Sequence, residues 1–119
     1  MKILICDDDM MILKTTELKL KRDGYETFTA FDGKKGQEMI ENNEFDLMII
    51  DLLMPYVNGL ELIEMVRKKM NKSTPLIVLS SVGLEETVLR AFELGADDYI
   101  VKPFSPNELS IRIIRILTI

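Results

Sequence analysis

The side chains in this sequence that could do chemistry are acids, an amine and hydroxyls that follow short apolar runs. Asp7, Asp8 and Asp9 follow Ile3 to Cys6, and Asp51 follows Leu47 to Ile50. Ser80 and Ser81 follow Leu76 to Leu79, and Lys102 and Pro103 follow Tyr99 to Val101. If these runs are parallel strands, their carboxyl ends bring all of these groups to one edge, where open α/β sheets bind ligands. Carboxylates gathered there repel one another, and one takes up a proton unless a cation intervenes. A hard divalent cation relieves the cluster, and Mg²⁺ suits two carboxylates, a carbonyl and several waters. A lysine, a hydroxyl and a metal around one carboxylate make a clamp for phosphoryl transfer, with the central carboxylate as the nucleophile.

That placement depends on the elements between the runs. The four runs are continuous and rich in Ile, Leu and Val, as suits strands covered on both faces. A more polar run, Glu26 to Ala30, predicts an edge strand. Helical patterns fill the gaps. Met10 to Arg22 stops at the turn pair Asp23-Gly24. Asp32 caps a helix from about Gly33 to Glu41, which ends at Asn42-Asn43. Asn58-Gly59 opens a helix carrying Leu60, Ile63 and Met70, whose last turn places Arg67, Lys68 and Lys69 against the helix dipole. Leu84 to Leu94 ends at Gly95, a C-cap residue. Ser105-Pro106-Asn107-Glu108 predicts a capping box with Pro in the first turn. A β-α unit repeated five times is the pattern of a doubly wound parallel α/β sheet.

The chain has 119 residues, which suits one domain, and no internal repeat, linker or low-complexity stretch divides it. There is no His, so Ser-His-Asp and Cys-His catalysis and His-ligated zinc are excluded. The net charge of -5, from 15 basic and 20 acidic residues, argues against nucleic-acid binding by this domain. No apolar run is long enough to span a membrane, and MKILICDDD lacks the pattern of a signal peptide. The single cysteine fits a reducing compartment, so the expected location is cytoplasmic. Neither G-x-x-x-x-G-K-[ST] nor a G-x-G-x-x-G after the first strand is present, which argues against nucleotide binding through those loops.

The motifs ILICDDD, Asp51-Leu-Leu-Met-Pro with Gly59 following, VLSS and GADDYIVKPFSPNEL resemble those of the receiver domain of bacterial two-component response regulators, the CheY-like branch of the flavodoxin-like folds. The resemblance covers essentially residues 1–119. It implies a five-stranded sheet in the order 2-1-3-4-5, with Asp51 as the phosphorylated aspartate. Asp8 then resembles the direct Mg²⁺ ligand, with Asp7 acting largely through water and the backbone carbonyl of Leu53 as a third protein ligand. Ser80 resembles the switch hydroxyl, Tyr99 the aromatic switch, and Lys102 the lysine that pairs with the phosphoryl group. Pro103 resembles the proline after a cis peptide, which aims Lys102. The implied donor is a phosphohistidine on a sensor histidine kinase or phosphotransfer protein, consistent with the absence of His here.

Leu53 and Val82 are apolar at two variable positions beside Asp51, which bears on the lifetime of a phosphoryl group. In the final helix, Leu109, Ile113, Ile116 and Leu117 share one face, while Ile111 and Ile114 fall on nearly the opposite one, beside an apolar chain end. The expected output is altered binding at the surface of the last two helices and the strand between them, through a phosphorylation-dependent dimer or an effector. Asp98 and Arg112 match the charged network of the winged-helix subclass, whereas Val88 and Ile114 stand where its basic partners are expected. Asp9 is expected to cap a helix, and Cys6 to be a core residue. Two other functions share these features. One is a Mg²⁺-dependent phosphohydrolase of the haloacid-dehalogenase kind, which Asp7-x-Asp9 matches superficially. The other is a receiver that binds proteins without being phosphorylated.

Overall fold

The computed structural model describes residues 1–118. Five strands, β1 (Lys2–Cys6), β2 (Glu26–Ala30), β3 (Leu47–Asp51), β4 (Leu76–Ser81) and β5 (Asp98–Lys102), form one sheet in the order β2-β1-β3-β4-β5. Every pairing is parallel. The helices are α1 (Met10–Arg22), α2 (Gly33–Asn42), α3 (Gly59–Glu64), α4 (Glu85–Leu94) and α5 (Pro106–Leu117). Ile119, part of the apolar chain end noted above, lies outside the described residues.

The alternation of strand side chains divides the core in two. Ile3, Ile5, Leu47, Ile49, Ile77, Leu79 and Ile100 pack under α1 and α5, through Leu13, Leu20, Leu109 and Ile113. Leu4, Cys6, Met48, Ile50, Leu76 and Val78 face α2, α3 and α4, through Ile40, Leu62, Ile63, Val66, Val88, Ala91 and Leu94. The more polar Glu26–Ala30 stands at a sheet edge, as its composition predicts.

Side-chain caps fix the starts of four helices. Asp9 accepts from the backbone N–H groups of Met11 and Ile12, Asp32 from Lys35, Asn58 from Glu61 and Ser105 from Glu108. The full reciprocal box is at Asn58 and Glu61, not at Ser105. Glu108 instead lies 3.7 Å from Arg112, one turn along α5, so its carboxylate follows the charge. The helix opened by Asn58 also changes form: after Glu64 it continues as a wider π-helical turn, Met65–Lys69. Arg67, Lys68 and Lys69 stand in the last turn, as their positions in the sequence predict, but Arg67 does more than face the helix dipole. Its guanidinium turns across to Gly95, Lys72, Thr74 and Asp97.

Two glycines allow the carboxyl edge to close up. A Cβ on Gly59 would lie 2.5 Å from the carbonyl oxygen of Asp51, and one on Gly33 would lie 1.5 Å from that of Val57. No other residue lets the α3 N-terminus sit this close to the end of β3.

Candidate functional site

At the carboxyl edge, Asp7 and Asp51 end up on neighbouring strands, since β1 pairs with β3. Asp7 is fully buried and Asp51 is 6% exposed, whereas Asp8 points to solvent. Carboxylate oxygens of Asp7, Asp8 and Asp51 lie within 4.8 Å of one another. Lys102, at the end of β5, reaches in between. Its Nζ donates to Asp51 Oδ2 at 3.2 Å and lies 2.7 Å from Asp7 Oδ2, close enough for an ion pair but not aligned as a hydrogen bond. The backbone N–H of Asp9 donates to Asp7 Oδ1, and that of Leu53 to Asp51 Oδ1. The Lys102–Pro103 peptide is cis.

The electrostatics follow from this crowding. Burial first, then the charge of Asp7, pushes the Asp51 carboxyl up to about 7, and Lys102 offsets only part of that rise. Burial works against the Lys102 ammonium, but its contact with Asp7 and the charges of Asp51 and Asp7 outweigh it and hold the ammonium above its ordinary value. Burial raises the Cys6 thiol well above its usual range, so this residue is inert core packing. One lysine against three carboxylates leaves the pocket net negative. Asp7 Oδ2 is buried without a hydrogen-bond partner. Lys102 is the one cation set against the three clustered carboxylates, and the negative charge it leaves uncompensated suits a hard divalent cation, so the residues present fit Mg²⁺.

Ser80 follows Leu79, the register partner of Asp51, so it stands beside that residue on the next strand. It is 1% exposed and its Oγ has no hydrogen-bond partner among the described residues. Beyond it lies a groove of about 400 Å³ between α4 and β5, lined by Ser80, Val82, Val88, Phe92, Tyr99 and Val101 among others. Tyr99 is 40% exposed and meets Phe92 edge-on, with 5.8 Å between ring centroids. Leu53 and Val82 are exposed on the loops beside the site. The structure therefore brings Asp7, Asp8, Asp51, Lys102 and Ser80 together, and it sets Tyr99 at the outer side of the groove.

The output face carries one arrangement that sequence reasoning did not give. Asp98 is gripped within the chain by Arg112 at 2.9 Å and Arg115 at 3.0 Å, and Arg112 also donates to the carbonyl of Tyr99. The spacing of Arg112 and Arg115 on α5 was the available signal. Ile111 and Ile114 are both exposed, opposite the buried Leu109 and Ile113.

A (βα)₅ domain with three acids, a lysine and a buried hydroxyl at its carboxyl edge defines a phosphoryl-accepting class of signalling module. The model of the response regulator receiver domain matches residues 3–114. Response regulator ArlR of Staphylococcus saprophyticus is 38% identical over 112 residues, which are 94% of this chain and 50% of that protein. The solved receiver domain of the Francisella response regulator 1452 is 40% identical, with a TM-score of 0.88 over 98% of this chain and 94% of that one. A CheY-like receiver domain protein from Methanospirillum hungatei is 34% identical, with a TM-score of 0.91 over 98% of this chain and 92% of that one. The chain belongs to the response regulator receiver domain family, the receivers of two-component signal transduction. It spans about half the length of the curated relatives it matches.

Proposed function

We propose that Asp51 accepts a phosphoryl group from a phosphohistidine on a sensor histidine kinase or phosphotransfer protein. The P–N bond to imidazole breaks, a P–O bond to the Asp51 carboxylate forms, and the departing imidazole takes its proton from solvent. The observation that carries this reading is the position of Asp51, a nearly buried carboxylate beside Asp7, with the Lys102 ammonium 3.2 Å away and shared between the two. Lys102 holds Asp51 Oδ2 and offers positive charge to a group added there. Asp7, Asp8, Asp51 and the Leu53 carbonyl would hold Mg²⁺, which supplies the charge that lets these acids stay ionised together. The same arrangement suits a stoichiometric acceptor rather than a turnover enzyme, since the transferred group ends on Asp51 itself. The absence of a helix able to cross a membrane among the described residues is consistent with action in the cytoplasm.

Ser80 is the readout. Its buried hydroxyl lacks a partner, and a phosphoryl group on the neighbouring strand would give it one. Withdrawal of Ser80 from the groove leaves room for Tyr99 to turn inward. The modification thereby biases two states of the α4-β5-α5 face, which meets a second receiver or an effector through Ile111 and Ile114. Incubation with acetyl phosphate and Mg²⁺ tests the acceptor. Intact-mass measurement is expected to find one added phosphoryl group in the wild type, none in Asp51→Asn and none with EDTA. Equal phosphorylation of Asp51→Asn overturns the assignment.

A further inference from the structure

We infer that Arg67 is a fixed pivot for α4, so that this helix swings from its N-terminal end while its C-terminal end stays clamped. The two ends of α4 are built differently. Asp9, Asp32, Asn58 and Ser105 cap the other four helices, but Leu84 at the start of α4 offers no side-chain acceptor. Gly83 before it has φ +93°, and the space where its Cβ would be is open. Glu85 and Glu86 are exposed, and the first buried residue of the helix is Val88. Beneath this end lies the groove beside Ser80. A missing cap leaves three or four N–H groups to water and makes the first turn easy to open.

The other end is held by one guanidinium. Arg67 Nε donates to the Gly95 carbonyl at 3.1 Å, Nη1 donates to those of Lys72 and Thr74 at 3.0 and 2.8 Å, and Nη2 donates to Asp97 Oδ2 at 3.1 Å. Asp97 Oδ2 also accepts from the backbone of Leu76, the first residue of β4. Arg67 therefore ties the π-helical turn after α3, the start of β4 and the turn from α4 into β5 into one unit. Ala91 and Leu94 are buried at this end, and the N–H groups of Gly95 and Ala96 both return to the Ala91 carbonyl. Charge-assisted hydrogen bonds to several carbonyls resist displacement far more than an uncapped turn does.

The pivot is independent of what drives the swing; only the driving step rests on phosphorylation of Asp51. Amide hydrogen exchange on the unmodified domain tests it. In the wild type, Val88–Arg90 are expected to exchange faster than Leu94–Ala96 by ~10-fold or more, the span of local opening within one element. Arg67→Met is expected to raise exchange at Leu94–Ala96 by ~10-fold while α1 and α5 keep theirs. Leu84→Asp is expected to slow Val88–Arg90 by about 5-fold, the usual gain from a cap, and to leave Leu94–Ala96 unchanged. Should Arg67→Met fail to fold, Arg67→Lys is read for a smaller rise at the same amides. Uniform exchange along wild-type α4, or an Arg67 variant that speeds all helices alike, overturns the pivot. Beryllofluoride with Mg²⁺ separates the two readings. Changes confined to Ser81–Leu89 support both, whereas no response in a protein that keeps the exchange gradient overturns the phosphoacceptor and leaves the pivot standing.

Discussion

Around Asp51, the side chains divide the chemistry between binding charge and controlling water. Lys102 and the acids handle charge, while Leu53 and Val82 stand exposed beside the site with no group to hold a water. Hydrolysis of an acyl phosphate needs a water in line with phosphorus, and two apolar side chains neither orient nor admit it well. Leu53→Asn with Val82→Glu is expected to shorten the acyl-phosphate half-life by roughly 10-fold, ~1.4 kcal/mol in the barrier. The decay of phosphoprotein after removal of acetyl phosphate measures this, and an unchanged or slower rate counts against the role given to these residues. The residues of this site were largely legible because each follows an apolar run that had to be a strand. Arg67 was not. Its type and position suit a helix dipole equally well, and its real partners, Gly95 and Asp97, lie across the fold from it.

At the scale of elements, α5 is fastened on two sides. Ser110 donates to Asp23 Oδ2 at 2.6 Å, joining α5 to the end of α1, and Arg112 and Arg115 grip Asp98 at the start of β5. The Ser110 hydrogen bond, with Lys19 beside it, holds the Asp23 carboxyl below its ordinary 3.8. A carboxyl lowered by folding stabilises the fold above its unfolded pKa, and that contribution fades as pH falls through the lower folded value. Ser110→Ala is therefore expected to lower Tm at pH 7 by about 4 °C, for a loss of ~1 kcal/mol. The deficit should shrink as pH drops below 4, and thermal melts across that range check it; a deficit that does not change with pH refutes the ionic character of this fastening. The outer stripe of α5 is free of such duties. Ile111→Glu with Ile114→Glu is expected to change stability by less than about 1 kcal/mol, as for surface sites. It should also abolish any beryllofluoride-dependent association seen by sedimentation; association that survives the two charges places the contact elsewhere. Helical periodicity made this stripe visible in advance. The π-helical turn at Met65–Lys69 was not visible, because widening by one residue leaves apolar spacing nearly unaltered.

For the whole molecule, strand order decides what the domain can do. Placing β1 and β3 side by side, with β4 and β5 following, sets Asp7, Asp51, Ser80 and Lys102 along one edge, and Lys102 reaches back across it to Asp7 and Asp51. The two half-cores hold that edge rigid on both faces, and the uncapped start of α4 is the part left free to respond. Fold class was readable from the fivefold β-α alternation, and the strand order came from family resemblance. For the intrachain grip on Asp98, the sequence carried only the i, i+3 spacing of Arg112 and Arg115; that both reach Asp98 at the start of β5 needed the fold. The most direct measurement is the location of the phosphoryl group. Borohydride reduces an acyl phosphate to an alcohol, so an aspartyl phosphate becomes homoserine, which peptide mass spectrometry can place. After treatment with acetyl phosphate and Mg²⁺, homoserine is expected at position 51 alone. Its appearance at Asp7 or Asp8, or its absence throughout a protein that has gained a phosphoryl group, would contradict the assignment of Asp51 as the acceptor.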